Sequence, residues 1–117
     1  MVRQYLDVIS WQTEGSNSFD ADGNPIIVEG ETLSNDKARY ENFSKGGNHR
    51  EYLNRNGEVV LATGVVYLKI NSGDIPSKFS MISVDCVNRP KPFKAEVLNV
   101  NYGQLNTTLH IIENVGN

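Results

Sequence analysis

The chain has 117 residues and a net charge of −3, room for one ordinary domain and no strong field of either sign. Only 38% of its residues are apolar, 14 are asparagine and 10 glycine, and valine plus isoleucine total 20 against 12 for alanine plus leucine. That balance excludes a helical bundle, a coiled coil and a membrane-spanning helix, while 4 Phe, 5 Tyr and 1 Trp argue against disorder.

Taken in order, the first predicted strand runs from about Tyr5 to Glu14, with Ile9, Trp11 and Thr13 on one face and Leu6 and Val8 on the other. A polar segment, Gly15 to Asn24, ends in the turn signal Asp20-Ala21-Asp22-Gly23-Asn24-Pro25. Asp20, Asp22, Asn24 and Glu31 echo a calcium loop, but Pro25 or Ile26 stands where that loop needs its glycine, and no helices flank it. A plain β-turn is the expectation. A second strand pair is predicted at Ile26 to Glu29 and Lys37 to Asn42, separated by Gly30 and a Ser34-Asn35-Asp36 turn. Phe43 to Arg50 has no period and carries Gly46-Gly47, so 43–56 reads as one exposed, mobile loop ending at the hairpin signal Asn56-Gly57.

The strongest strand signal spans Glu58 to Ile70, with a bend or bulge expected at Thr63-Gly64. Val60, Ala62, Val66 and Leu68 share one apolar face. Val59, Leu61, Val65 and Tyr67 give the opposite face the same character, so this strand is expected to lie centrally in a barrel or against a neighbouring subunit. Phe79 to Val87 turns Ile82, Val84 and Cys86 inward, which makes the single cysteine a buried thiol rather than half of a disulfide. Phe93 to Val100 and Leu105 to Glu113 form a last hairpin about Asn101-Tyr102-Gly103. The predicted core is Val60, Ala62, Val66, Leu68, Ile82, Val84, Leu109 and Ile111. The expected fold is all-β: one domain over 1–117, a small antiparallel barrel or sandwich of about six or seven strands with one long mobile loop.

Chemistry is sparse. The only histidines are His49, in the glycine-hinged loop, and His110, on a strand and expected at the surface or an interface. No His-X-His or Cys-X-X-Cys spacing offers a metal site, and no glycine-rich phosphate loop precedes a helix. The expectation is therefore no enzyme, no catalytic residue, no metal and no cofactor. One cluster stands out: Lys45, His49, Arg50 and Arg55 concentrate positive charge between Phe43 and Asn56 in an otherwise acidic chain. It reads either as a solvated loop or as a tip that approaches a polyanion. Met1-Val2-Arg3-Gln4 leads directly into a strand-like segment without the apolar run of a signal peptide, so synthesis and assembly in a cytoplasm are expected.

The order of these features has a precedent. Asp7-Val8-Ile9-Ser10-Trp11, the Asp20–Pro25 turn, Ala38-Arg39-Tyr40, a glycine-bearing loop, a valine-rich strand and the Phe93 to Glu113 hairpin follow one another as in a known family. In this order the chain resembles the small head–tail joining, or head-closure, proteins of tailed bacteriophages. The resemblance implies a small β-barrel that forms a ring with copies of itself below the portal and its adaptor, in contact with tail proteins. It also implies that the loop, here 43–56, projects to the channel and helps retain packaged double-stranded DNA. The location implied is the virion head–tail interface, assembled in the bacterial host, with no membrane involved. Two other classes remain open at this point. One is a tail-terminator or minor tail ring protein. The other is a small oligonucleotide- or carbohydrate-binding module, for which Tyr40 between Arg39 and Glu41, and a single strand-embedded Trp11, are poor platforms.

Overall fold

The computed structural model describes residues 5–13, 15–43, 51–87 and 89–114. Among them the chain is all strand and turn: β1 (Asp7–Gln12), β2 (Ser16–Phe19), β3 (Pro25–Val28), β4 (Thr32–Asn42), β5 (Glu51–Leu53), β6 (Val59–Leu61), β7 (Gly64–Lys69), β8 (Met81–Asp85), β9 (Phe93–Tyr102) and β10 (Asn106–Glu113). Six of them close an antiparallel barrel in the order β1-β4-β7-β10-β9-β8. The other four pair outside it as two hairpins, β2–β3 and β5–β6.

Alternation explains the core. Ile9 and Trp11 of β1, Val66 and Leu68 of β7, Ile82 and Val84 of β8, Ala95 and Val97 of β9, and Leu109 and Ile111 of β10 all point inward and form one cluster with Ala38 and Cys86. Of the predicted core, Val66, Leu68, Ile82, Val84, Leu109 and Ile111 lie in it. Ala62 is buried in the β6–β7 connection, while Val60 is only half-buried because β6 belongs to an outer hairpin.

The Glu58 to Ile70 run does break at Thr63-Gly64, and the corner is held by hydrogen bonds. Thr63 N donates to Ile111 O (2.8 Å), Glu113 N donates to Thr63 Oγ1 (2.7 Å), and Phe43 N donates to Thr63 O (3.0 Å). A Cβ on Gly64 would stand 2.7 Å from Tyr40 Cε1 and 2.8 Å from Glu41 O, so only glycine lets β7 start this close to β4.

Two expectations are corrected. Ser34-Asn35-Asp36 is not a turn between paired strands but part of β4 itself, and Ile26 to Val28 pairs with β2 rather than with Lys37 to Asn42. The physical reason is a β-bulge: Asp7 faces Ala38 while Ile9 faces Asn35, so β4 spends one more residue than β1 over the same length. Asn35 Oδ1 accepts from Lys37 N at 2.9 Å, the same local bond that opens a turn. Asn35 is buried, and its Nδ2 donates to Ser72 Oγ and Asp74 O, both at 3.0 Å, tying the bulge to the β7–β8 connection. The polar segment Gly15 to Asn24 contains β2.

The barrel seam has a second polar tie. Asp7 is buried, and its carboxylate accepts from Tyr40 N (2.7 Å) and Val87 N (3.0 Å), so one side chain links β1 to β4 and to the end of β8.

Candidate assembly surfaces

The two outer hairpins are turned by the same device. In β2–β3, Asp20 Oδ1 accepts from Asp22 N (2.9 Å) and Asn24 N (2.8 Å), and Gly23 takes φ +80°. In β5–β6, Asn54 Oδ1 accepts from Asn56 N and Glu58 N, both at 2.9 Å, and Gly57 also takes φ +80°. Each is a short turn closed by a glycine in the left-handed region, which a β-carbon would disfavour. The Asp20 carboxylate, whose atoms the calcium pattern would have needed, is thus engaged by its own turn, while at the other end of the hairpin the Glu31 backbone N donates to Thr13 Oγ1. Hydrogen bonds, first that from Asn24 N, hold the Asp20 carboxyl below its ordinary value of 3.8. A lowered folded pKa stabilises the turn above that ordinary value and loses the effect as pH falls through the folded one. Amide exchange at Asp22 and Asn24 should therefore accelerate below about pH 3.8 relative to the barrel strands; an unchanged ratio would refute this.

The β2–β3 hairpin is an arm. It continues the β1–β4 ribbon past Thr13, whose N donates to Glu31 O at 2.8 Å, and reaches up to roughly 30 Å from there to Asp22 at about 3.3 Å per residue. Accordingly the molecule measures 59 × 33 × 31 Å, with a radius of gyration of 16.3 Å against roughly 13 Å for a compact domain of this length. The ribbon narrows at its root: a Cβ on Gly30 would lie 2.0 Å from Thr13 O, and one on Gly15 2.6 Å from Val28 O. Phe19 faces Pro25 and neighbours Ile27 on one side of the arm, while Ile26 and Val28 occupy the other. All are exposed, Phe19 by 74% and Ile27 by 71%. The arm is apolar on both faces and covered on neither.

The β5–β6 hairpin instead folds back on the barrel. Tyr52 packs against His110 with the rings tilted and centroids 5.3 Å apart, Phe43 lies 6.5 Å from the same ring, and Arg55 N donates to Glu96 Oε2 at 3.0 Å. His110 is thus half-buried in an aromatic group rather than open at the surface.

The predicted site residues separate accordingly. Val65, beside His110 on the outward face of β7, is 3% exposed within its own chain. Tyr67 is half-buried, with Arg39 5.9 Å from its ring centroid. Val59 and Leu61 sit on the outer face of the β5–β6 hairpin with Leu53 and are open, Val59 by 65%. Lys45, His49 and Arg50 lie outside the described residues. Within 43–56, Glu51–Leu53 form β5, and Arg55 sits on the tight turn that follows rather than in an irregular loop.

Arg55 lines a cleft of about 900 Å³ on the outer face of β1, β8 and β9. Ser10, Ser83 and Lys94 form one cross-strand row on its floor, and Lys78, Phe79 and Met81 border it. Lys78 Nζ stands 5.0 Å over the Phe79 ring. The lining holds Arg55, Lys78 and Lys94 and no carboxylate. Sequence reading missed both the arm and this cleft. The arm had a signal in Phe19 and Ile26-Ile27-Val28 flanking the Asp20–Asn24 turn; the cleft had none, because its cations come from distant segments.

Across the barrel, Arg89 lies over Phe93 (4.2 Å to the ring centroid) and beside Tyr40 (5.7 Å), two rings that pack edge to face, and pairs with Glu113. Burial holds the Tyr40 phenol above its ordinary 10.0, against the opposing charge of Arg89. Among the described residues no group of His, Cys, Asp and Glu is placed to hold a metal ion. No family model matches the chain, and no curated protein matches it. What fold and surfaces define is a class: a closed small β-barrel carrying one uncovered apolar arm and one cationic cleft.

Proposed function

We propose that this chain is a structural virion protein of a tailed bacteriophage, forming a ring in the head–tail connector that joins the portal or its adaptor to the tail and helps retain packaged DNA. The observation that carries the reading is the β2–β3 arm. A closed barrel has no edge strand to protect, and its core cluster is formed without any residue of the arm. A lone two-stranded hairpin is marginal in water, and apolar residues exposed on both its faces call for cover from another molecule. The outer row Leu53, Val59 and Leu61 offers a second such surface. The small barrel agrees with what the resemblance to joining proteins implies.

The DNA-retaining part of the proposal rests on the charge of Lys45, His49 and Arg50, repeated by the ring's symmetry and sequence-blind in its contacts. Deleting the gene in the phage that carries it should leave DNA-filled heads without tails that leak their DNA, restored by added protein; normal tailed particles would refute the function. Lys45→Ala with Arg50→Ala should leave folding and ring attachment intact while raising DNA loss from tailless heads, measured as nuclease-sensitive DNA. Retention equal to the unsubstituted protein would remove the DNA role and leave the joining role.

A further inference from the structure

We infer that the β2–β3 arm of one copy seats in the cationic cleft of the next, so that the ring closes head to tail; this rests on the ring reading above and names its interface. The charge distribution picks the occupant. Residues 15–31 hold four of the 14 acidic residues, Asp20 and Asp22 at the tip and Glu29 and Glu31 at the root, and none of the 11 Lys and Arg. The rest of the chain therefore carries 11 bases against 10 acids, and three of those bases, Arg55, Lys78 and Lys94, line one cleft that holds no carboxylate. A chain of net charge −3 thus presents an acidic protrusion and a cationic recess of its own making.

The apolar character matches as well. Phe79 and Met81 border the cleft, and Phe19, Ile26 and Ile27 are the exposed apolar groups nearest the arm's acidic tip. Apolar burial supplies affinity, and the charges supply register and exclude wrong partners. Geometry makes the contact intermolecular in sense. Thr13 and Thr32, at the arm's root, already belong to the cleft rim, so the tip at Asp22 extends away from the cleft of its own chain. Arm and cleft are different surfaces, which makes the contact heterologous, the kind that generates a ring when its rotation closes.

The test uses the full chain on its assembly platform. Carbodiimide, which joins a carboxylate to an amine, should couple Asp22 or Asp20 to Lys78 or Lys94. Mixing isotope-labelled with unlabelled protein should show that the coupled peptides come from different copies. Asp22→Lys with Glu29→Lys spares the Asp20 turn and should weaken ring formation by about tenfold or more, as should Lys78→Glu with Lys94→Glu. A single chain carrying all four reversals should assemble again, because arm and cleft are then complementary with signs exchanged. Rings that form equally well in every variant, with no coupling between copies, would overturn the interface and leave the ring reading standing. So would a cleft variant that loses binding to a short fluorescent DNA duplex while its rings are unaffected. Absence of rings in the unsubstituted protein would overturn both.

Discussion

Val66→Asp is expected to yield no soluble folded protein. Val66 lies at the centre of β7, fully buried, facing Leu109 of β10 on one side and Tyr40 of β4 on the other. A carboxylate there has no cationic partner in the core cluster, which is apolar throughout. Even after relaxation, burying an unpaired ion costs several kcal/mol, on the scale of the about 5–15 kcal/mol that holds a domain together. Val66→Ala is the control: it removes two methyl groups and should cost about 2 kcal/mol while keeping the fold. A Val66→Asp protein that is soluble and melts like the unsubstituted chain would mean that β7 does not face the core.

The second large effect is expected at Asp7. Removing its carboxylate in Asp7→Ala orphans two backbone donors at once, Tyr40 N and Val87 N, at a seam where the side chain is buried. An unsatisfied buried donor costs about 1–3 kcal/mol, so a loss of about 2–4 kcal/mol is expected, read as a lower urea midpoint with unchanged slope. Asp7→Asn keeps one acceptor oxygen and should fall between. A change under about 0.5 kcal/mol, the size of an ordinary surface substitution, would contradict the seam's role.

Legibility in the sequence tracked how local each signal was. Period-two alternation made β7, β8 and β10 readable from Val66, Leu68, Ile82, Val84, Leu109 and Ile111, and their core is where that pattern places it. The break at Thr63-Gly64 was readable because glycine inside a strand marks close approach, here to Tyr40. Ser34-Asn35-Asp36 misled because the bond from Lys37 N to Asn35 Oδ1 serves a bulge as well as a turn; only the register with Asp7 and Ile9 distinguishes them. β2 was illegible since Ser16, Asn17 and Ser18 have little strand preference, and their extended form depends on pairing with β3. The doubly apolar β7 suited either a central place in a barrel or a neighbouring subunit; it lies within the closed barrel, and Val65 is buried beside His110, against whose ring Tyr52 packs. The apolar side chains left exposed lie elsewhere, among them Phe19, Ile27 and Val59.

In the proposed function this barrel works as one copy in a closed ring. Its most direct test is the mass added when the unsubstituted 13.0 kDa chain binds purified portal carrying its adaptor. The expected result is a single discrete step, a whole-number multiple of the chain mass with no partly filled species dominating, as a closed cyclic contact requires. A chain that stays monomeric and adds nothing to the platform at any concentration would contradict it.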